Sequence, residues 1–582
     1  MAQSKLQRLG AYLAPHWRQT GLGIVALLVV NVLSVRIPLL IGDAVDQVEI
    51  TFSLERVLQQ AGIVFLLASV VWFIRMASRI LIFGVGRQIE FDIKQRIFEH
   101  LLTLEPAYFS ENTIGDLINR ATSDVDNIRR LLGFAVLSVA NTIFAYLLTI
   151  PAMLSISLRL TVISLAIYPV MLVLVRLFSE RLRAEQQEVQ QSLSDLSTLI
   201  QEDMSGISLV KIYAQEDNEQ TAFAEKNQAV LKANLALAKT RNTLFPLLGG
   251  LASLSLAVIL AVGARAIASG SLSEGDFVAL VLYVGNLVFP TALLGFTITA
   301  YQRGEVSLDR IEAIFKAQPK VYSVAGATEL VPETVRGQLS AQNLTYTYPG
   351  SDTPALDHIS FTIEPGETVA VVGPIGAGKS TLAKALPRLL DIDAQQLFID
   401  SQDVTAVTLP SLRQTIAFVP QDSFLFSTKI KNNIRYGRPF AERPEVENAA
   451  KLAQIREEIL NFPQRYDTLV GERGITLSGG QRQRSALARA LLVDAPILVL
   501  DDALSSVDNQ TATQILENLS RGTQLKTVIF ITHQMSAAAN ADRILVMNRG
   551  RIDQIGNHDA LVNQAGLYQD LWNQHKLKEV LQ

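Results

Sequence analysis

The chain has 582 residues, more than one hydrophobic core organises, since single cores stop growing at roughly 250–300 residues, so at least two domains are expected. Hydrophobic residues make up 49% and charged residues 18%, and a mean hydropathy of +0.26 exceeds what a wholly water-exposed surface carries, so part of the surplus must face lipid. A formal net charge of −4 gives no pull toward a polyanion and argues against nucleic acid as a partner, while the absence of cysteine excludes disulfides, thiolate metal sites and cysteine nucleophiles.

The polar, basic opening MAQSKLQRLGAYLAPHWRQT runs into an apolar stretch without a small-residue cleavage site, so the first hydrophobic helix is expected to remain as an anchor. Apolar runs long enough for about 30 Å of hydrocarbon fall at 20–42, 57–83, 133–157, 160–178, 244–268 and 276–300, which predicts six spans. Lys5, Arg8 and Arg18 precede the first, whereas Asp43, Asp46, Glu49 and Glu55 fill the connection after it. That bias places the N-terminus in the cytoplasm, and six crossings return the C-terminal region to the same side. From Arg79 to Asn127 and from Glu180 to Thr240 the helical periodicity persists with few breakers, so the helices are expected to extend into the cytoplasm. Short segments at 113–120 and 206–213 are expected where these extensions turn, as candidate contacts for a soluble domain.

Arg36, Arg75 and Arg79 lie inside or beside apolar runs. Counting helix rise puts each near an interface, where a long side chain snorkels to the headgroups. Pro290 falls within the sixth span, with Tyr283 and Asn286 nearby as polar groups that either face a cavity or serve helix packing.

Beyond about residue 340 no run of that length recurs; short β-branched stretches such as Thr368–Val372 and Ile497–Leu500 alternate with polar helical segments, the pattern of a soluble α/β domain. Thr368–Val372 leads directly into Gly373, Pro374, Ile375, Gly376, Ala377, Gly378, Lys379, Ser380 and Thr381, which open a helical pattern. This is a P-loop in its expected context. Its glycines let backbone N–H groups curl around phosphate oxygens at a helix N-terminus, Lys379 brings charge to the outer phosphates, and the Ser380 hydroxyl suits Mg²⁺. A second apolar strand ends in Leu500, Asp501 and Asp502; Asp501 is placed to hold Mg²⁺ through water and Asp502 to polarise an attacking water. The cofactors expected are therefore ATP and Mg²⁺.

Between these motifs, Leu477–Ser478–Gly479–Gly480–Gln481, followed by Arg482, Gln483, Arg484 and an alanine-rich helix, resembles the signature of ATP-binding-cassette (ABC) proteins. The resemblance covers essentially the whole chain. Tyr348 before Pro349 resembles the aromatic that stacks on adenine, Gln421 the Q-loop glutamine near Mg²⁺ and the attacking water, Ser505–Asp508 the D-loop, His533 the switch histidine and Gly471–Gly474 the exporter X-loop. Six spans ahead of one cassette is similar to the layout of an ABC exporter half-transporter. The expected fold is thus an α-helical six-span transmembrane domain with cytoplasmic helix extensions over 1–315, a linker at 316–336, and a C-terminal α/β P-loop nucleotide-binding domain over 337–582. The resemblance implies a second half-transporter, with Ser478, Gly479, Gly480 and Gln481 closing in trans on ATP held by the opposite cassette, and it implies a bacterial inner membrane with both termini and the cassette cytoplasmic.

One position departs from the family. Glutamate usually follows the Walker B aspartate, and here Asp502 stands there. The missing methylene retracts the carboxylate, so this site is expected to hydrolyse slowly, as in heterodimeric exporters where one subunit's intact signature completes the partner's faster site. The function expected is ATP-driven export of hydrophobic or amphipathic compounds, drug-like or lipid, by a dimer, with a heterodimer favoured over a homodimer. An ATP-gated channel or nucleotide-binding membrane regulator is the alternative; it is disfavoured because no regulatory insert interrupts the cassette and no dense ring of charge lines a span. Six spans exclude a soluble DNA-end ATPase.

Overall fold

The structure, a computed structural model, describes residues 5–50, 52–507, 509–520 and 526–581. It divides into two compact units, one of residues 1–102 and 113–317 and one of residues 103–112 and 318–582. Asp508 of the expected D-loop lies outside the described residues.

The first unit is all helix. Its six long members are α1 (Trp17–Ile50), α2 (Leu54–Leu101), α3 (Ile114–Ile156), α4 (Leu158–Ser205), α5 (Glu216–Ala268) and α6 (Glu274–Lys316). Each contains one of the six apolar runs, and each is long and apolar enough to cross a membrane. Only 6–39% of each apolar window is buried inside the chain, so most of that surface is left for lipid or a partner subunit to cover. Helices of 48 and 53 residues reach about 70–80 Å at 1.5 Å per residue, so α2, α4 and α5 continue well past a hydrocarbon layer of about 30 Å.

Close backbone approach holds these helices together. Gly42 of α1 faces Gly275 of α6 so tightly that a Cβ on Gly42 would lie 2.6 Å from the Gly275 carbonyl oxygen, and Gly275 N–H donates to Asp46 Oδ1 at 2.6 Å. Tyr283, fully buried, donates its hydroxyl to the Val35 carbonyl at 2.6 Å, so of the two polar groups near Pro290 it is the packing one. Asn286 instead lines a cavity of about 640 Å³ together with Asn31, Arg75, Arg79, Asn141 and Pro290. Arg75 and Arg79, both exposed, thus line a cavity, which the snorkelling argument did not anticipate; Arg36 does not line it. Pro290 sits inside α6 without ending it.

The turn between α2 and α3 differs from the expectation of 113–120. It occupies 102–113 and carries a short helix, Pro106–Glu111, whereas residues 114–119 already open α3. The cause is capping: the Thr113 hydroxyl accepts the Asp116 N–H and starts the new helix there. The second turn does hold a short helix, Ile207–Ile212, between Gly206 and a left-handed Ala214.

The second unit contains two sheets. Strands β1 (Leu339–Tyr346), β2 (Leu356–Ile363), β4 (Leu397–Ile399) and β5 (Gln402–Asp403) form an antiparallel sheet in the order β2-β1-β4-β5. The other sheet runs β10-β9-β3-β8-β7-β6, with β3 (Thr368–Val372), β6 (Ile416–Val419), β7 (Ile497–Asp501), β8 (Thr527–Ile531) and β9 (Arg543–Asn548) parallel and β10 (Arg551–Gly556) antiparallel at its edge. The central strands β7 and β8 are buried at every residue, as strands covered on both faces must be. Burial on both faces leaves their chemistry to the loops at the carboxyl ends of the strands.

Candidate functional site

Four loops leave the carboxyl ends of adjacent parallel strands and bring the expected residues to one edge of the sheet. Gly373–Gly378 follows β3, Gln421 lies just past β6, Asp501 closes β7 with Asp502 next to it, and His533 lies just past β8. Strand order β3-β8-β7-β6 makes neighbours of segments far apart in sequence.

The loop after β3 is built for close approach. Gly373, Gly376 and Gly378 all have positive φ, at 150°, 80° and 94°. A Cβ on Gly373 would overlap the Met547 carbonyl and one on Gly378 the Ala355 carbonyl, so neither position admits a side chain. Gly378 is the N-cap of α7 (Lys379–Ala385), which leaves the first N–H groups of that helix aimed into the loop. Lys379 is 6% exposed and its Nζ donates to the carbonyls of Gly373 and Pro374, both at 2.8 Å. Burial pulls its pKa down, while Asp502 and Asp501 oppose that pull. An ammonium folded into its own loop is poised to exchange those carbonyls for phosphate oxygens. Ile375 is 94% exposed at the loop's tip.

Ser380 Oγ donates to Asp501 Oδ1 at 2.8 Å. Asp501 is 1% exposed, and burial pushes its carboxyl upward against the Ser380 hydrogen bond and Lys384. A hydroxyl and a buried carboxylate converging beside a phosphate cradle form an all-oxygen donor pair, the chemistry Mg²⁺ prefers when water and phosphate complete its shell. These residues fit the ion.

Asp502 adopts a left-handed conformation, φ 49°, which aspartate tolerates better than most residues. Its N–H donates to the Ile531 carbonyl at 3.1 Å, tying it to β8 and so to the His533 loop. Burial raises its carboxyl pKa, opposed first by the nearby His533 and also by Ser505, Lys379 and Gln421, and the Ser505 hydroxyl donates to the Asp502 backbone carbonyl at 2.9 Å. Gln421, Asp502 and His533 thus lie at the carboxyl ends of the neighbouring strands β6, β7 and β8. Tyr348, exposed, packs edge-on against Tyr346 at 5.0 Å between ring centroids and reaches Thr381 Oγ1 at 3.3 Å, so the aromatic sits beside the loop.

The Ser478–Gln481 segment is not part of this group. It opens α8 (Gly479–Val493) as a capping box: Ser478 Oγ accepts the Gln481 N–H at 3.2 Å and Gln481 Oε1 accepts the Ser478 N–H at 2.9 Å. Among the described residues no hydrogen bond joins it to 373–381. Its link to the site runs instead through Gln483, a buried residue one turn into α8. The Gln483 amide donates to Ser505 Oγ at 3.0 Å and, more weakly, to the Asp502 carbonyl at 3.4 Å, while its Oε1 accepts the Ser506 N–H at 2.9 Å. Sequence reasoning passed over Gln483; the only signal was a polar residue on the alanine-rich face of that helix.

Comparison with known proteins follows the same division. Residues 20–291 match the family described as ABC transporter transmembrane region, and residues 356–505 match the family described as ABC transporter. Over 579 residues the chain is 35% identical to the multidrug resistance-like ATP-binding protein MdlA of Escherichia coli, covering 99% of this chain and 97% of that protein. It is 31% identical over 573 residues to the ATP-dependent lipid A-core flippase of Syntrophus aciditrophicus, covering 98% and 94%. Among solved structures, a bacterial Atm1-family ABC exporter with ATP bound superposes with a TM-score of 0.78 at 28% identity, over 96% of this chain and 98% of that one.

Proposed function

The chain belongs to the ABC transporter family, an integral membrane exporter subunit that binds and hydrolyses ATP and works as a dimer, and from that premise we propose how its own residues divide the labour. The observation that carries the reading is the Ser380–Asp501 hydrogen bond beside the folded-back Lys379. In this assignment the membrane domain covers 1–315, a linker 316–336 and the ATPase domain 337–582.

ATP lies with its phosphates in the 373–381 loop and its adenine on Tyr348. Lys379 neutralises the outer phosphates; Ser380, Asp501 and Gln421 would hold Mg²⁺, which when bound would offset phosphate charge. Asp502 orients the attacking water and takes its proton, with His533 and Gln421 alongside it. The exposed cap Ser478–Gln481 serves the ATP of the second subunit, because a helix N-terminus aimed at solvent is an anion site in want of an anion. ATP held between two cassettes binds the closed dimer better than the open one and so shifts the population toward closure.

The partner is a different half-transporter rather than a second copy. Asp502 supports this: it is a methylene shorter than glutamate, and about 1 Å of misplacement costs roughly 100-fold in rate. The basic N-terminal flank and acidic first connection support a cytoplasmic N-terminus and ATPase domain in a bacterial inner membrane. The cargo is a hydrophobic or amphipathic compound, in keeping with relatives named for multidrug resistance and for lipid flipping. ATP-dependent uptake of labelled amphiphile into inside-out vesicles tests the reading: it should be present with the intact chain and its partner and absent with Lys379→Ala, and uptake surviving that substitution would overturn it.

A further inference from the structure

The turn between β9 and β10 carries none of the residues assigned to ATP, but it bonds to both halves of the ATP site. Arg549 and Gly550 hold positive φ, at 47° and 80°, and Asn548 pairs directly with Arg551. This is the two-residue hairpin turn that needs left-handed backbone at both central positions. The Gly550 N–H donates to the carbonyl of Ala377 in the phosphate loop at 3.1 Å, and the Gly550 carbonyl accepts the N–H of Asp357, near the start of β2, at 2.8 Å. Asp357 is held a second time through its side chain. Its Oδ2 accepts Arg551 Nε–H at 2.6 Å, while its Oδ1 lies 2.6 Å from His358 Nδ1.

The segment that ends at Asp357 is the one that carries Tyr348. The Ala355 N–H donates to the Tyr346 carbonyl at 2.8 Å, so residues 347–354 loop out between β1 and β2 and return at Ala355. The Ala355 carbonyl then lies between two glycines: a Cβ on Gly378 would sit 2.3 Å from its oxygen and one on Gly550 3.1 Å. Phosphate loop, hairpin turn and the base of the Tyr348 loop therefore meet backbone to backbone, at a separation that only glycine permits. Among the described residues one further hydrogen bond joins the Tyr348 loop to the phosphate loop, the 3.3 Å contact between Tyr348 and Thr381.

We propose that the Arg549–Gly550 turn is the spacer that sets the distance between the adenine platform and the phosphate cradle. Gly550 is then a positioning residue for ATP, and Arg551 secures it by holding Asp357. The inference rests on the reading that adenine lies on Tyr348. ATP engages two subsites through one covalent body, so the second contact adds affinity only while both subsites stand at the span of the nucleotide; out of register, engaging one forfeits the other.

The test uses the solubilised full chain with EDTA present, so that no ATP turns over, and measures dissociation constants for ATP and for inorganic tripolyphosphate by titration calorimetry. In Gly550→Ala the added methyl meets Ala355 and Pro354 rather than Ala377, so the displacement falls on the Tyr348 side. ATP should bind about tenfold more weakly and tripolyphosphate as before. Arg551→Ala removes a side chain that is 70% exposed. It should weaken ATP about two- to fivefold, again sparing tripolyphosphate, and it decides the matter if Gly550→Ala does not fold. In a Tyr348→Ala background the base has lost its platform, so Gly550→Ala should weaken ATP no further. Equal weakening of ATP and tripolyphosphate would mean a distorted phosphate loop and overturn the proposal, as would unchanged ATP affinity or an undiminished loss in the Tyr348→Ala background. Failure of the adenine reading shows separately, as Tyr348→Ala alone binding ATP as tightly as the unaltered chain.

Discussion

Gln483 Oε1 accepts the Ser506 backbone N–H at 2.9 Å, so a side chain of the signature helix is locked to the loop that follows Asp502. The same amide donates to Ser505 Oγ and approaches the Asp502 carbonyl, which makes Gln483 the joint between two segments with separate tasks. One presents Ser478–Gln481 to solvent and the other carries the acid of the site. Movement of either is passed to the other through three hydrogen bonds on one buried amide.

Gln483→Ala is therefore expected to lower ATP turnover about tenfold, in line with a loss of roughly 1–3 kcal/mol for a buried amide's partners, while leaving the affinity for ATP near its original value because Lys379, Ser380 and Tyr348 are untouched. Steady-state ATPase and equilibrium binding of a fluorescent ATP analogue separate the two quantities. A variant with weakened binding and unchanged turnover would contradict the joint.

The metal pair makes a different prediction. Ser380→Ala removes the donor to a carboxylate that is 1% exposed, so unliganded stability should fall by about 1–3 kcal/mol. The help that Mg²⁺ gives to ATP binding should shrink about 10–100-fold. Titrating nucleotide with and without Mg²⁺ reads this directly: the variant's two curves should nearly coincide, and a full Mg²⁺ effect in the variant would remove Ser380 from the metal site.

How much of this was legible beforehand depends on whether the information is local. The phosphate loop was readable because Gly373, Gly376 and Gly378 state a backbone conformation in their own residue types, and their positive φ values are what such glycines permit. The six spans were readable because hydrophobic length is a local property. The turn at 102–113 was misplaced because Thr113 and Asp116 form a cap signal that was not weighed against the helical periodicity. Gln483 was invisible for a deeper reason: it acquires meaning only when separate segments meet, here α8 and the loop after β7. The snorkelling argument for Arg75 and Arg79 took no account of the neighbouring helices that line a cavity beside them.

The glycine contact between α1 and α6 predicts a packing defect independent of chemistry. A Cβ on Gly275 would overlap the Gly42 carbonyl group, both partners being backbone that has nowhere to move, and small residues at such crossings are what allow membrane helices to approach. Gly275→Ala should lower the melting temperature of the detergent-solubilised protein by several degrees, consistent with a cost of roughly 1–3 kcal/mol for overpacking. Gly285→Ala on the same helix, where nothing lies within 4 Å of the added Cβ, should leave it unchanged. Equal melting temperatures for the two variants would mean the helices separate freely at that point.

Asp502 supplies the sharpest test because two effects of one substitution oppose each other. Asp502→Glu lengthens the acid by a methylene and, if the shorter side chain is what slows the site, should raise ATPase of the purified chain by up to about 100-fold. Asp502 also holds φ at 49°, where a longer side chain without aspartate's local hydrogen bonding costs about 1–2 kcal/mol, so the faster enzyme should also be the less stable one. Asp502→Asn keeps the shape and tolerates the left-handed backbone, so it should fold normally and abolish only this site's hydrolysis. In the complex with an unlike partner, transport by the Asn variant should persist at close to the original rate, since catalysis then resides in the site completed by Ser478–Gln481. Transport that disappears with Asp502→Asn, together with brisk ATPase by the unaltered chain alone, would instead establish two equal subunits.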